Sequence, residues 1–397
     1  MSQDHVVIVS AARTPMGSFQ GSLSSLTAAN LGAHAIKAAV KRSGVDKSMV
    51  EEVLMGCVLQ AGQGQAPARQ AALQADLNLG VACTTIHKVC GSAMKSIMLG
   101  HDGIMAGSYE CVIAGGMESM TQAPYLLPKA RGGYRLGHSQ LVDHMFMDGL
   151  EDAYSAENRG KLMGTFAEQC AGTYSFTRQE QDEYAVLSTT RAQDASKRGD
   201  FNWEIEPVVI QTKKGAQTID MDEGPFAVNI EKIPTLKPAF KKDGTVTAAN
   251  SSSISDGAAA LLLMKASKAR ELGIKPIAKI VAHTNHAGAP DLFPSAPIGA
   301  IQKLLHKTGW RKDSVDLFEI NEAFAVVAMA AIKDLELDPS KVNVNGGACA
   351  LGHPIGASGA RIVVTLLGAL RKHSLKRGIA SLCIGGGEAT ALAVEML

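Results

Sequence analysis

Short apolar runs rich in β-branched residues recur along this chain, separated by Ala-rich stretches with helical spacing. Val6–Val9 and Cys111–Ala114 are of the first kind and read as strands. The alternation predicts βαβ units on a mostly parallel sheet. Two later runs, "GAAALLLM" (257–264) and "EATALAVEM" (388–396), read as the closing strands of two such units. One stretch of different texture, "TRQEQDEYAVLSTTRAQDASKRG" (177–199), predicts a helix. Thr177 and Glu180 form a capping box at its start, and Gly199 suits its end.

The apolar pattern repeats. "VVIVSAART" (6–14) echoes "AKIVAHT" (278–284), "GSAMKSIM" (91–98) echoes "ASGARIVV" (357–364), and "CVIAGGMES" (111–119) echoes "LCIGGGEAT" (382–390). The order is common to all three and the offset nearly constant, with Thr14 matched to Thr284 and Gly115 to Gly385. The expected organisation is an α/β half over 1–120 plus 245–275, an inserted loop domain over 121–244, and a second α/β half over 276–397. The insertion is rich in Gly, Pro and charged residues.

Composition narrows the function classes. Lys and Arg number 39 against 38 acids, for a formal net charge of +1. With no basic run interleaved with aromatics, nucleic acid is not an expected partner. No apolar span reaches membrane length, and "MSQDHVVIVSAARTP" lacks the basic region of a signal peptide. Seven scattered cysteines without a CxxC pair point to reduced thiols in a cytoplasmic protein, with neither a disulfide framework nor a metal site.

Four segments depart from core patterning. Cys90 in "HKVCGSAMKS" (87–96) stands where a strand leads into a helix, a place that favours a thiolate, although a free Cys is more often a small buried hydrophobe. His353 lies in the Gly-rich "NGGACALGHPIGASG" (345–359). Pro354 stiffens its turn, so it reads either as a base for a thiol or as a packed turn histidine. "CIGGGEA" (383–389) puts Cys383 before three glycines, as an anion nest or as a plain tight turn. "FEINEAFAV" (318–326) offers the amide of Asn321, as a hydrogen-bond donor or as a helix cap. Taken jointly, each lies at an expected strand end, and such ends face one crevice in parallel sheets. A thiol nucleophile, a base, a second thiol and converging N–H donors fit acyl transfer through a thioester.

Together these segments resemble the thiolase family, whose members carry "CGS", "NEAF", "GHP" and "CxGGG" motifs in this order. They stand here at Cys90–Ser92, Asn321–Phe324, Gly352–Pro354 and Cys383–Gly387. The likeness extends through "VVIVSAARTPMGSFQG", "AGGMESMTQAPY" and "GTVTAANSSSISDGAAALLLM", so it spans the chain. It implies a duplicated five-layered αβαβα fold with an inserted loop domain. It implies a short-chain acetyl-CoA C-acyltransferase that joins two acetyl-CoA to acetoacetyl-CoA and runs the reverse thiolysis. By the same likeness Cys90 is acylated, His353 takes its proton, and Cys383 is acid and base at the substrate α-carbon or the leaving coenzyme A sulfur. Asn321 holds a water that, with His353, stabilises the enolate, and the N–H groups of Cys90 and Gly385 form a second oxyanion hole. Met163, Ser252, Ala323 and Phe324 line the coenzyme A tunnel. Coenzyme A and acyl-CoA are substrates, no cofactor is tightly bound, and the assembly is a homodimer that pairs further into a homotetramer.

Two places depart from the short-chain pattern. Leu162 replaces a His before the Met163-Gly turn, after a rearranged "YSAENRGK". "EGPFAVNI" (223–230) lacks the basic residue that many members place near the coenzyme A nucleotide. Three other readings remain: a thiolase of broader chain length, a ketosynthase, and a non-catalytic lipid-binding relative. Cys383 and the "NEAF" Asn count against the last two.

Overall fold

The structure is a computed structural model that describes residues 4–213 and 215–397; the first three residues of the N-terminal stretch read above lie outside it. Its long strands are Val6–Arg13 (β1), Glu52–Gly56 (β2), Ala82–Ile86 (β3), Cys111–Ser119 (β4), Ser255–Lys265 (β5), Ala278–Ala287 (β6), Leu317–Ile320 (β7), Arg377–Ile384 (β8) and Glu388–Met396 (β9). They form one hydrogen-bonded path, β7-β8-β9-β6-β1-β5-β4-β2-β3, and Gly17–Ser18 pairs onto β5. The two halves meet where β1 and β6 pair over two residues, Val7 with Lys279 and Ile8 with Ala278.

Helices cover this path in layers. Ala28–Ser43 (α1) and Pro67–Gln74 (α2) pack on the outer face of the first half. Ala296–Thr308 (α6) and Ala325–Leu335 (α7) belong to the core on the outer face of the second. Ser92–Ala106 (α3) and Ser358–Lys372 (α8) lie between the halves and touch strands of both. The result is five layers, helix-sheet-helix-sheet-helix. It explains why "GAAALLLM" shows no alternation: Leu261 and Leu263 face the central helices, Leu262 faces α1, and both faces are dry. For the same reason α8 is buried from Ser358 to Leu370. Met163–Tyr174 (α4) and Arg178–Arg198 (α5) belong to the excursion between β4 and β5. In α5 the Thr177–Glu180 capping box and the left-handed Gly199 stand as the sequence predicts.

Two expectations are corrected. The sheet is mixed, not mostly parallel: among the described residues only β2–β3, β2–β4 and β7–β8 run parallel. β9 follows β8 through a short glycine turn, and a turn that short can only make an antiparallel pair. The repeat is present, but its register differs. Both halves carry a bulge at the same place, between Ile8 and Ser10 and between Ile280 and Ala282, so Ala11 corresponds to His283. Leu261 pairs with Ala11 and Leu392 with His283; further back on the same strands, Ala258 pairs with Met117 and Ala389 with Cys383. Met117 therefore corresponds to Cys383, and the matches of Gly115 to Gly385 and Thr14 to Thr284 slip. Ser92 still corresponds to Ser358, which makes His87 the counterpart of His353.

Candidate active site

The turn before α3 is strained. Val89 adopts φ of 46°, a left-handed conformation that a β-branched residue rarely takes. Ser92 holds it there: its hydroxyl accepts from the Lys88 N–H at 2.8 Å and donates to the Val89 carbonyl at 2.6 Å. The turn brings the Cys90 sulfur up to its own N–H and to that of Gly385. Burial pushes this thiol up to about 11, while those two N–H donors pull the other way. Ser92→Ala removes the acceptor for a half-buried N–H, and we expect it to lower unfolding stability by about 1 kcal/mol in urea titration.

Gly385 belongs to the hairpin turn between β8 and β9. Gly386 and Gly387 have φ of 97° and 81°, and a Cβ on Gly387 would stand 2.3 Å from the Ala289 carbonyl oxygen. The Tyr154 hydroxyl donates to the Gly385 carbonyl at 3.1 Å, which fixes the peptide that follows. Lys88 and Glu388 pair across the two turns.

His353 is buried, and its tautomer follows from its neighbours. The Ser358 hydroxyl donates its single proton to the Pro354 carbonyl at 2.9 Å, so at 2.5 Å it accepts from His353 Nδ1–H. Nε2 is left with a free lone pair. Burial, and then the nearby Arg361 cation, lower this imidazole to about 3, so it rests neutral. The Asn321 amide nitrogen stands 3.5 Å from Nε2, and its oxygen accepts from Arg361 at 3.3 Å, which orients the amide. Arg361 also pairs with Glu319 at 3.1 Å, whose carboxyl burial pushes up to about 8.

Cys90, His353, Gly385, Met163, Ser252, Ala323 and Phe324 line one cavity of about 380 Å³, walled by Leu162, Phe240, Phe293 and Ile355. Asn321 stands behind His353 and does not line it. Cys383 is buried in β8 close enough to Cys90 for their charges to interact, and burial holds its thiol well above the usual range. The strand-end expectation fails for His353, which follows the four-residue helix Ala348–Leu351 and not a strand. Its place is set instead by its N–H, which donates to the Ser253 carbonyl at 3.1 Å. Ser252 N–H bonds the Ala323 carbonyl at 3.0 Å, joining this segment to "NEAF".

Models described as the N-terminal and the C-terminal domain of thiolase match residues 6–267 and 274–396. The chain belongs to the thiolase family. It is 52% identical over 395 residues to acetyl-CoA acetyltransferase 1 of Arabidopsis thaliana, covering 99% of this chain and 94% of that one. It is 50% identical to the acetyl-CoA acetyltransferase of Cupriavidus necator, covering 98% and 99%. Among solved structures, a thiolase from Ascaris suum in complex with coenzyme A superposes with a TM-score of 0.93 at 45% identity, covering 99% and 100%. The acetyl-CoA acetyltransferase of Bacillus anthracis superposes with 0.96 at 42%, covering 100% and 99%.

Several residues around this thiolase site were not picked out from the sequence. Ser92, Ser358 and Arg361 set the turn, the tautomer and the amide. Tyr154 comes from the rearranged segment before Leu162, which folds back on Asp152. Buried Glu322 accepts from Tyr184, Ser188, Asn343 and the Cys349 N–H, locking the loop after β7. Buried Glu118 accepts N–H bonds from Val58, Leu59 and Gly356, and burial pushes it up to about 7. Acids that follow strands were a usable signal for Glu322; the others carry none in their local sequence.

Proposed function

We propose that this thiolase condenses two acetyl-CoA to acetoacetyl-CoA, and catalyses the reverse thiolysis, through an acyl-Cys90 intermediate. The observation that carries the reading is the convergence of the Cys90 thiol, the free lone pair of His353 and the N–H groups of Cys90 and Gly385 on one apolar cavity. His353 Nε2 takes the Cys90 proton as the sulfur attacks the thioester carbonyl and keeps it, while the Cys383 thiol gives its proton to the departing sulfur, so that coenzyme A leaves as its thiol. Cys383, now a thiolate, removes a proton from the methyl group of a second acetyl-CoA. The enolate oxygen lies against protonated His353 and a water held by Asn321. The enolate carbon attacks the Cys90 thioester, whose oxygen is held by the N–H groups of Cys90 and Gly385. The carbon–carbon bond forms, and Cys90 leaves as a thiolate that takes its proton back from His353.

Met163, Ser252, Ala323 and Phe324 form the acyl-CoA tunnel. Lys237, Lys241 and Lys242 line an outer cavity that shares Ala239 and Phe240 with it, and they offer cations to the phosphates of coenzyme A that "EGPFAVNI" lacks. The loop domain over 121–244 covers substrate between the two α/β halves. The working unit is a homodimer that pairs into a homotetramer in the cytoplasm. No helix among the described residues is long and apolar enough to cross a membrane.

The test is kcat/KM over a series of 3-ketoacyl-CoA lengths. We expect it to fall beyond four carbons, and Leu162→His to leave acetoacetyl-CoA activity broadly intact. A second reading, thiolysis of longer chains, is favoured by the apolar walls at Phe146, Leu150 and Leu162. There each accommodated methylene gains about 0.8 kcal/mol. A tenfold rise from four to eight carbons, about 1.4 kcal/mol in the barrier, establishes that reading instead.

A further inference from the structure

A second group of functional side chains lies away from the cavity. His101 and Asp102 sit near the C-terminal end of α3, about 14 Å of helix beyond Ser92. His283 sits on β6. His283 Nε2 is 2.9 Å from Asp102 Oδ1 and 3.3 Å from His101 Nδ1, and His101 Nδ1 is 3.0 Å from Asp102 Oδ1. The two rings meet edge to face at 84°. Ligand atoms at about 2.0–2.1 Å from a tetrahedral zinc ion stand about 3.3–3.4 Å apart. These three need to separate by only a few tenths of an ångström to take that geometry, with the fourth position open outward.

The fold aims His283 at this point. Ile280 faces the central layer, and simple alternation would turn His283 to the other face. The bulge between Ile280 and Ala282 reverses the phase: Ala282 joins the outer core, and His283 comes round to α3. The corresponding position in the first half is Ala11, buried in the central core. A histidine therefore stands where the duplicated half needs only a methyl group, and its partner on α3 is a His-Asp pair.

We propose that His101, Asp102 and His283 bind one transition-metal dication of the zinc type, clipping the far end of α3 to the second half. Two imidazoles and one carboxylate select such ions over magnesium or calcium, which prefer all-oxygen sites. In the metal-free chain Asp102 accepts from both rings. On binding, each ring proton shifts to the nitrogen facing away, so neutral rings release no net proton. Burial lowers His283 below the usual imidazole range, which keeps it in the neutral form a metal takes. Lys307, whose ammonium donates to the His283 carbonyl at 3.1 Å, is the opposing charge, and the Asp102 carboxylate offsets it.

The experiment uses the full-length enzyme, stripped with chelator and alkylated so that thiols do not compete. Titration with Co²⁺ should give one ion per chain, with ligand-field absorption and no thiolate charge-transfer band. Zn²⁺ should displace it and Mg²⁺ should not. His283→Gln and Asp102→Asn, checked for native circular dichroism and for activity before alkylation, should each weaken binding about tenfold or more. Zn²⁺ should raise the unfolding midpoint of the wild type but not of either variant. Binding that is absent, unchanged in both variants, or marked by thiolate charge transfer overturns the proposal. Asp102, whose side chain is 53% exposed, is the variant that keeps the test decisive if His283→Gln misfolds.

Discussion

Cys90→Ala abolishes both condensation and thiolysis, with a loss of about 10⁴-fold or more, the scale on which removal of a covalent nucleophile acts. The fold survives, because the strained turn is held by Ser92 and not by the sulfur. In the wild type, iodoacetamide labels Cys90 before Cys57 and Cys111, which are buried, and prior incubation with acetyl-CoA protects it. The pH dependence is a sharper check. With the thiol near 11 and His353 near 3, the resting pair is neutral at pH 7, so the proton leaves as the sulfur attacks. The thiolate fraction rises with pH, and labelling should speed up about tenfold per unit between pH 7 and 9 without a plateau. A plateau already at pH 7 means a preformed thiolate–imidazolium pair and refutes the neutral resting state. Mass spectrometry that finds Cys57 or Cys111 labelled first counts against Cys90 as the nucleophile.

Cys383→Ala divides the reaction. Cys90 still accepts an acetyl group from acetyl-CoA, because His353 and the two N–H donors are untouched and coenzyme A can leave as a thiolate. Making and breaking the carbon–carbon bond slows by about 10²–10⁴-fold, the usual contribution of a positioned acid–base group. Trapping the acetyl-enzyme by mass spectrometry, beside steady-state thiolysis of acetoacetyl-CoA, measures both halves. Near-normal thiolysis in this variant removes Cys383 from the acid–base role. Its burial fits that role: a thiol held well above the usual range is a strong base once its proton has gone. His353→Ala, by contrast, should impair both halves.

Much of this was determined by the sequence alone. The strands, the helix over 177–199 and the "CGS", "NEAF", "GHP" and "CIGGG" segments are local patterns, carried by residues within a few positions of one another. So is the five-layered duplication, once the resemblance is recognised. Tertiary structure decided the rest. Parallel or antiparallel pairing depends on where the excursion between β4 and β5 returns, and the chain between gives no period to count. The true register of the repeat depends on two bulges, each adding one residue that no apolar pattern marks. The tautomer of His353 depends on Ser358 and the Pro354 carbonyl, and the orientation of Asn321 on Arg361, a residue 40 positions away. Tyr154 reaches Gly385 only after its segment has folded back. Hydrogen-bond geometry is set by distances of a few ångströms between residues far apart in the chain. The sequence names the chemical groups, and packing alone decides which of them meet.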